Sequence, residues 1–265
     1  MIRKKDYLEI TEIFRYASEK ASKKINEIYK SKFSITRKQD DSPLTIADLE
    51  SNKIILNIIK KKLRKIPIVS EESEKPKGAP FSEFILVDPL DGTKEFVNKN
   101  DEFTVNIALI QNKKPKIGVV EIPAKNIQYF TDGENSYKAS NKKIKRISVK
   151  GHDKPIFTIS RSHLDKITID FLKIFKIKKT IKRGSSLKFC LIAEGLADFY
   201  LRYGKTMEWD TAAGHAILKS AGGDVYNSQL SSLKYEKKDF LNTSFLAFNM
   251  PNQKVFENFI KFNNF

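Results

Sequence analysis

The stretch FILVDPLDGTKEF, residues 84–96, runs from an apolar strand pattern directly into two carboxylates. Pro89 lacks the N–H that a sheet ladder needs, so the chain is expected to turn there. Asp91 follows Asp88 by three residues, and Gly92-Thr93 then opens a short helical turn. Carboxylates bind hard cations, and free backbone N–H groups at a helix start hold anionic oxygen. A strand end of this composition therefore suits a metal together with a phosphate. Alone, an Asp-x-x-Asp-Gly sequence is often only a turn.

Two further acidic segments lie outward from it. Upstream, IPIV at 66–69 leads into Ser70-Glu71-Glu72-Ser73, an acidic pair at another strand end. Downstream, Glu208-Trp209-Asp210-Thr211-Ala212-Ala213-Gly214-His215 sets Asp210 at the start of a small-residue helix. Taken singly, Asp210 reads as a helix cap and the acidic pair as solvated surface. Together they supply Glu71, Asp88, Asp91 and Asp210 without a His or Cys partner, an all-oxygen set that selects Mg²⁺, Mn²⁺ or Ca²⁺ over zinc. The chain has one cysteine, Cys190, and three histidines, His152, His163 and His215, which excludes an internal disulfide and a Cys-rich structural zinc site. Cys190 reads as an apolar packing residue and His215 as a structural one.

The hydrophobic pattern lays out the rest. Residues 6–30 carry Ile10, Ile13, Phe14, Ala17, Ala21, Ile25 and Ile28 at three- and four-residue spacings, an amphipathic helix. A second helix is expected over 45–65, ended by Pro67. Apolar runs at 66–69, 83–88, 103–111, 116–121 and 127–131 read as strands, with turns at 75–80, 112–115 and 132–133. Beyond residue 150, strands at 156–160, 180–183, 197–202 and 224–226 alternate with helices at 163–175, 185–194 and 210–221. This predicts an α/β (α+β) protein. Residues 1–150 form an N-terminal lobe with an antiparallel sheet and the acidic loops, and residues 151–265 an α/β lobe. The Lys-rich patch 141–150 is the candidate boundary, and also reads as a solvated strand pair and turn.

At 40% hydrophobic and 31% charged residues, the chain can bury a core. No apolar run nears the ~18 residues of a membrane span. Asp6 and Glu9 stand where a signal peptide needs its apolar segment, so a cytoplasmic location is expected. The net charge of +17 points to anionic partners, although an excess of 41 Lys over 8 Arg also follows from AT-rich codon usage. Few Arg and no nucleic-acid motif argue against a basic nucleic-acid-binding module. The charge leaves a weak peripheral association with an anionic inner leaflet open.

The motifs EES at 71–73, DPLDGT at 88–93 and WDTAAGHA at 209–216 resemble the lithium-sensitive, magnesium-dependent inositol monophosphatase superfamily. SPLTIAD at 42–48, SRSH at 160–163, GSSLKFC at 184–190 and AEGLADFYLRYG at 193–204 resemble its CysQ-type 3'(2'),5'-bisphosphate nucleotidases, so the likeness runs from about residue 5 to 245. The resemblance implies a layered α-β-α-β-α sandwich, the sugar-phosphatase fold, with the site between the lobes. It also implies hydrolysis of adenosine 3',5'-bisphosphate, a by-product of sulfate assimilation, to AMP and phosphate. Two or three Mg²⁺ per site are implied, with Mn²⁺ as a substitute and Li⁺ and Ca²⁺ as inhibitors. By this likeness Glu71, Asp88, the Leu90 carbonyl, Asp91 and Asp210 ligate metal. Thr93, with Asp48 and Glu71, activates water. Gly92 and Thr93 hold the phosphate, and His163, Ser185, Lys188 and Arg202 bind the nucleotide. Plainer readings make His163 a helix N-terminal residue and Lys188 and Arg202 surface charge. Trp209 and Gly214 serve packing. Inositol monophosphate and fructose 1,6-bisphosphate are the alternative substrates, and SRSH and GSSLKFC favour the nucleotide.

Overall fold

The computed structural model describes residues 2–38, 43–74, 80–250 and 252–263. Helix α1 (Tyr7–Tyr29) is followed by paired strands β1 (Ile35–Arg37) and β2 (Pro43–Thr45), then α2 (Ile46–Lys62). A seven-stranded sheet is built from β3 (Ile68–Ser70), β4 (Glu83–Asp91), β5 (Thr104–Gln111), β6 (Lys114–Ile122), β7 (Ile127–Thr131), β8 (Ser136–Ser140) and β9 (Lys143–Ile147), in that order. The short helix α3 (Thr93–Val97) interrupts it after β4. Only the β3–β4 pair is parallel. Next come β10 (Ile156–Ser160), α4 (Lys166–Ile174), β11 (Lys179–Arg183), α5 (Leu187–Ala193), β12 (Phe199–Arg202), α6 (Glu208–Ser220), β13 (Asp224–Asn227), β14 (Phe245–Phe248) and α7 (Gln253–Asn263). Their strands form a five-stranded mixed sheet ordered β11-β10-β12-β14-β13.

Strand alternation divides the core into layers, because successive side chains point to opposite faces. Ile85, Val87, Val105, Ile107 and Leu109 pack with Ile10, Phe14, Ala21 and Ile25 of α1 and Ile55 and Ile59 of α2. Phe84, Leu86, Ala108 and Ile110 face the other way, onto α5 and α6. Tyr200, Phe245 and Ala247 of the second sheet cover those helices from beyond, while Phe199, Leu201, Leu246 and Phe248 turn outward onto Phe171 of α4 and Phe259 of α7. The result is the expected α-β-α-β-α sandwich. Each large core side chain buried this way contributes about 1.5–3 kcal/mol.

Several sequence readings shift in detail. The chain does not turn at Pro89: β4 continues to Asp91, and the register slips between Asp88 and Asp91. A bulge absorbs the missing proline N–H. The 112–115 turn is a tighter one at Asn112 and Lys113, both with positive φ. The turn expected at 75–80 falls largely outside the described residues. The patch 141–150 contributes β9, which pairs with β8 around a turn at Asn141 and Lys142. Strands β1, β2 and β14 and helix α7 had no counterpart in the sequence reading. No helix among the described residues is long and apolar enough to cross a membrane.

One buried acid beneath α1 sets a pH dependence. Glu121 on β6 is 5% exposed and accepts from Gln128 Nε2 at 2.8 Å. Burial, reinforced by Glu19, pushes its carboxyl up to about 7. The folded protein therefore keeps a proton that the unfolded chain has released above its ordinary pKa of about 4.3. That stability is full below about pH 4.3 and is lost as pH rises through 7. Calorimetric unfolding should show Glu121→Gln more stable than wild type by about 1–3 kcal/mol at pH 8 and unchanged near pH 4.5. Equal effects at both pH values would remove the argument.

Candidate active site

Strand register delivers the first two acids. Ser70 of β3 pairs with Val87 of β4, so the next residue, Glu71, donates its N–H to the Val87 carbonyl at 3.1 Å and stands beside Asp88. Ser51 of α2 donates to the Pro89 carbonyl at 2.7 Å and pins the bulge. Within the bulge Asp88 Oδ1 accepts from the Leu90 N–H at 3.1 Å, and the Leu90 carbonyl lies 3.3 Å from Thr93 Oγ1. Gly92 then takes φ +86°, a left-handed conformation that glycine adopts without a Cβ penalty, and α3 begins.

Asp48 arrives from α2. Its Oδ2 accepts the Thr45 N–H at 2.8 Å in a capping box, and its Oδ1 accepts from the Thr93 hydroxyl at 3.0 Å. Asp48 is buried behind Thr93. Asp210 sits in the first turn of α6, where its Oδ2 accepts the Met207 N–H at 2.7 Å. Gly118 on β6 allows this approach: a Cβ there would lie 2.4 Å from the Ala213 carbonyl oxygen of α6.

These elements surround a cavity of about 480 Å³. It is lined by every expected site residue except Asp48: Glu71, Asp88, Leu90, Asp91, Gly92, Thr93, His163, Ser185, Lys188, Arg202 and Asp210. Burial, then Glu71, Asp91 and Asp210, hold the Asp88 carboxyl well above the usual range. Burial pushes Asp91 up to about 6, with Glu95 and Glu71 adding to the rise and Lys188 opposing it. Asp210 is likewise held well above its ordinary value by burial, Asp91 and Glu71.

Two buried cations line the same cavity. Lys188 is 4% exposed and Arg202 8%, so neither is surface charge. Lys188 Nζ donates to the carbonyls of Ser185 and Arg183 and lies 5.0 Å from the Tyr200 ring centre. Arg202 donates to Ser160 Oγ and to the carbonyls of His163 and Lys205, while its Nε has no hydrogen-bond partner among the described residues. Neither forms an ion pair among the described residues. His163 lies before α4 rather than in it, because Asp165 accepts the Thr168 N–H at 2.7 Å and caps the helix at Lys166. Burial, with Lys94 and Arg202, lowers the His163 pKa and keeps its ring neutral. Ser185, at φ 41°, donates to the Glu102 carbonyl.

The donor set fits a hard divalent cation: clustered carboxylates that raise one another's pKa are relieved by positive charge. Among the described residues no three such side chains close into a finished metal cage. Two of the carboxylates are turned to backbone N–H groups, and Lys38 donates to both Glu71 Oε1, at 2.6 Å, and Glu72. Burial opposes the Lys38 charge, yet the two glutamates make its ammonium more basic than a free lysine.

Sequence reasoning missed Lys38, and it passed over Glu95 inside the quoted motif. Glu95 lines the cavity and accepts from Ser162 Oγ at 2.6 Å. Its position directly after DGTK was the available signal. Asp101 accepts from the Tyr29 hydroxyl at 2.8 Å and lies off the cavity. His215 is buried between Tyr235, at 2.9 Å, and Asp224, at 2.7 Å.

Residues 6–261 match the inositol monophosphatase family. The 3'(2'),5'-bisphosphate nucleotidase CysQ of Salmonella typhimurium is 44% identical over 212 residues, 79% of this chain and 86% of that protein. The protein of the same name from Escherichia coli K12 is 42% identical over 216 residues, 80% of this chain and 87% of its own. The crystal structure of CysQ from Bacteroides thetaiotaomicron, described as a bacterial member of the inositol monophosphatase family, superposes with a TM-score of 0.82 at 38% identity, covering 92% of this chain and 98% of that one. With this match across nearly its whole length, the chain belongs to the inositol monophosphatase family, in its CysQ branch.

Proposed function

We propose that the protein is a Mg²⁺-dependent phosphoric monoester hydrolase, a 3'(2'),5'-bisphosphate nucleotidase that releases the 3'-phosphate of adenosine 3',5'-bisphosphate to leave AMP. One observation carries this reading: the four-acid cluster shares a single cavity with two buried cations, neither of which forms an ion pair among the described residues. A monophosphate needs only the metal end. The second, uncleaved phosphate gives Lys188 and Arg202 their counter-ion, and Arg202 Nε a partner.

In this reading Glu71, Asp88, the Leu90 carbonyl, Asp91 and Asp210 hold two or three Mg²⁺, with Mn²⁺ as a substitute. Held there, such ions would neutralise the phosphoryl oxygens and lower the pKa of water. Thr93 donates its proton to Asp48, which leaves its oxygen free to accept a hydrogen bond from the attacking water. Glu71 shares in orienting that water. Gly92 and Thr93 present N–H groups to the phosphate at the start of α3. His163, neutral, and Ser185 border the nucleotide. Residues 1–150 thus carry the catalytic loops, while residues 151–265 complete the metal site and bind nucleotide. We place the reaction in the cytoplasm.

A phosphate-release panel tests the assignment. Under Mg²⁺ the highest kcat/KM is expected for adenosine 3',5'-bisphosphate, with inositol 1-phosphate and fructose 1,6-bisphosphate behind. Li⁺ and high Ca²⁺ inhibit, the latter because its longer, looser coordination misplaces water and phosphate. Full turnover after exhaustive chelation would end the metal reading, and a preference for inositol 1-phosphate would end the nucleotide one.

Peripheral binding to an anionic bilayer belongs to the same proposal. Residues 173–183, KIFKIKKTIKR, hold six basic and no acidic side chains, with Ile174 62% exposed. Salt-sensitive co-sedimentation with phosphatidylglycerol vesicles is expected. No sedimentation at low salt would remove it.

A further inference from the structure

Asp91 and Asp210 come from different strand and helix segments far apart in the chain, and the spacing between them must be fixed by something that touches both. Asn106 on β5 lies opposite Asp88 in the sheet register and is 1% exposed. Its Nδ2 donates to Ser186 Oγ at 3.0 Å and, more weakly, to Asp91 Oδ2 at 3.4 Å. Ser186, equally buried, donates to the main-chain carbonyl of Asp210 at 2.7 Å. Thr104 Oγ1 lies 3.0 Å from Asn106 Oδ1 and 3.4 Å from Asp91 Oδ2. Neither Asn106 nor Ser186 lines the cavity.

The direction of this chain is fixed by chemistry. The Asp210 carbonyl and the ionised Asp91 carboxylate only accept, so Ser186 must donate to the first and the Asn106 amide to the second. The single Ser186 proton is thereby used, and its oxygen accepts from Asn106. The amide oxygen is left to accept from Thr104. Only a neutral side chain with two donors and an acceptor serves at 106. A carboxylate there would add a charge to four already crowded together and would donate nothing.

We propose that Asn106 and Ser186 act as one positioning bridge, holding Asp91 and Asp210 at the spacing their shared divalent cations require. This rests on the metal reading above. Neither residue lines the cavity, so the bridge acts through the Asp91 carboxylate and the Asp210 backbone. Outer-shell partners of this kind are typically worth 10–100-fold in metal affinity or activity.

The test is calorimetric titration of Mg²⁺ into the full-length protein without substrate, for wild type, Asn106→Ala, Ser186→Ala, the double variant and Ser186→Thr. Each Ala variant is expected to weaken Mg²⁺ binding by about tenfold. The double variant should be no worse than the worse single one, because either cut breaks the same connection. Ser186→Thr keeps the hydroxyl and should bind like wild type. In assays at saturating Mg²⁺, the nucleotide KM stays within about twofold of wild type. Unchanged Mg²⁺ affinity in Ser186→Ala, additive losses in the double variant, or equal losses in Ser186→Thr and Ser186→Ala would each overturn the bridge. Should Asn106→Ala fail to fold, the Ser186 pair decides alone. A wild type that binds no Mg²⁺ would instead overturn the metal reading itself.

Discussion

Asp91→Asn is expected to give a folded protein whose turnover of adenosine 3',5'-bisphosphate falls on the order of 10³-fold. The substitution keeps the shape of the side chain, and its amide oxygen can still accept from Asn106 Nδ2, 3.4 Å away. It removes one of four carboxylates that the cation would draw into their charged form. Charge stabilisation by a bound metal is worth several kcal/mol, and about 4 kcal/mol at 1.36 kcal/mol per decade is three orders of magnitude. The same change should stabilise the metal-free protein. Burial pushes wild-type Asp91 up to about 6. The stability tied to its proton is full below the unfolded value near 3.9 and is lost as pH rises through 6. The amide that replaces it has no such proton to lose, so the metal-free variant melts higher than wild type at pH 8 and about equally at pH 4. Added Mg²⁺ reverses the order at pH 8, because it stabilises the wild type by mass action and the variant far less. Scanning calorimetry with and without Mg²⁺ reads this crossover. Near-full turnover at low Mg²⁺, or no crossover, would take Asp91 out of the site.

How much of this was legible in the sequence follows from how local each signal is. Asp88, Asp91, Gly92 and Thr93 lie within six residues, and an apolar strand, a bulge and a glycine at φ +86° are local consequences of their order. Asp210 could be read because a capping position at the head of a small-residue helix is also local. The Pro89 reading failed for a tertiary reason. Ser51, from a different helix, holds the Pro89 carbonyl, so the strand bulges instead of turning. The burial of Lys188 and Arg202 was equally illegible, since a basic residue has the same pattern on a surface and in a pocket. What distinguishes them is the layer of Phe189, Tyr200 and Phe245 packed between the two sheets. The Asn106–Ser186 contact joins residues 80 apart in the chain, and no periodicity announces such a pair. Helix α7 begins after Asn252 and covers the outer sheet through Val255 and Phe259.

The uncleaved phosphate offers the second large effect. If Lys188 and Arg202 hold it, truncating either should weaken adenosine 3',5'-bisphosphate much more than inositol 1-phosphate, which has no such group. A charge-assisted hydrogen bond is worth roughly 1.5–3 kcal/mol, or about ten- to a hundredfold in kcat/KM. The contact is remote from the reacting phosphorus, so it is made equally in ground and transition states and the loss appears in KM. Arg202 carries a second duty: its guanidinium also ties together the Ser160, His163 and Lys205 segments. Arg202→Ala therefore risks a structural loss that Arg202→Lys, which keeps a charge but not the planar fork, should partly avoid. Lys188 is the cleaner probe, because it gives up two carbonyl contacts and its approach to the Tyr200 ring without untying separate segments. Its charge also lowers the Asp91 pKa. Lys188→Met should accordingly move the acid limb of the pH–kcat/KM profile upward for every substrate, on top of the selective loss for the bisphosphate. A selective KM rise together with that shift places Lys188 between the two phosphates. An equal drop for bisphosphate and monophosphate, with the acid limb unmoved, would mean that Lys188 supports only the fold, and the case for a two-phosphate substrate would lose its electrostatic basis.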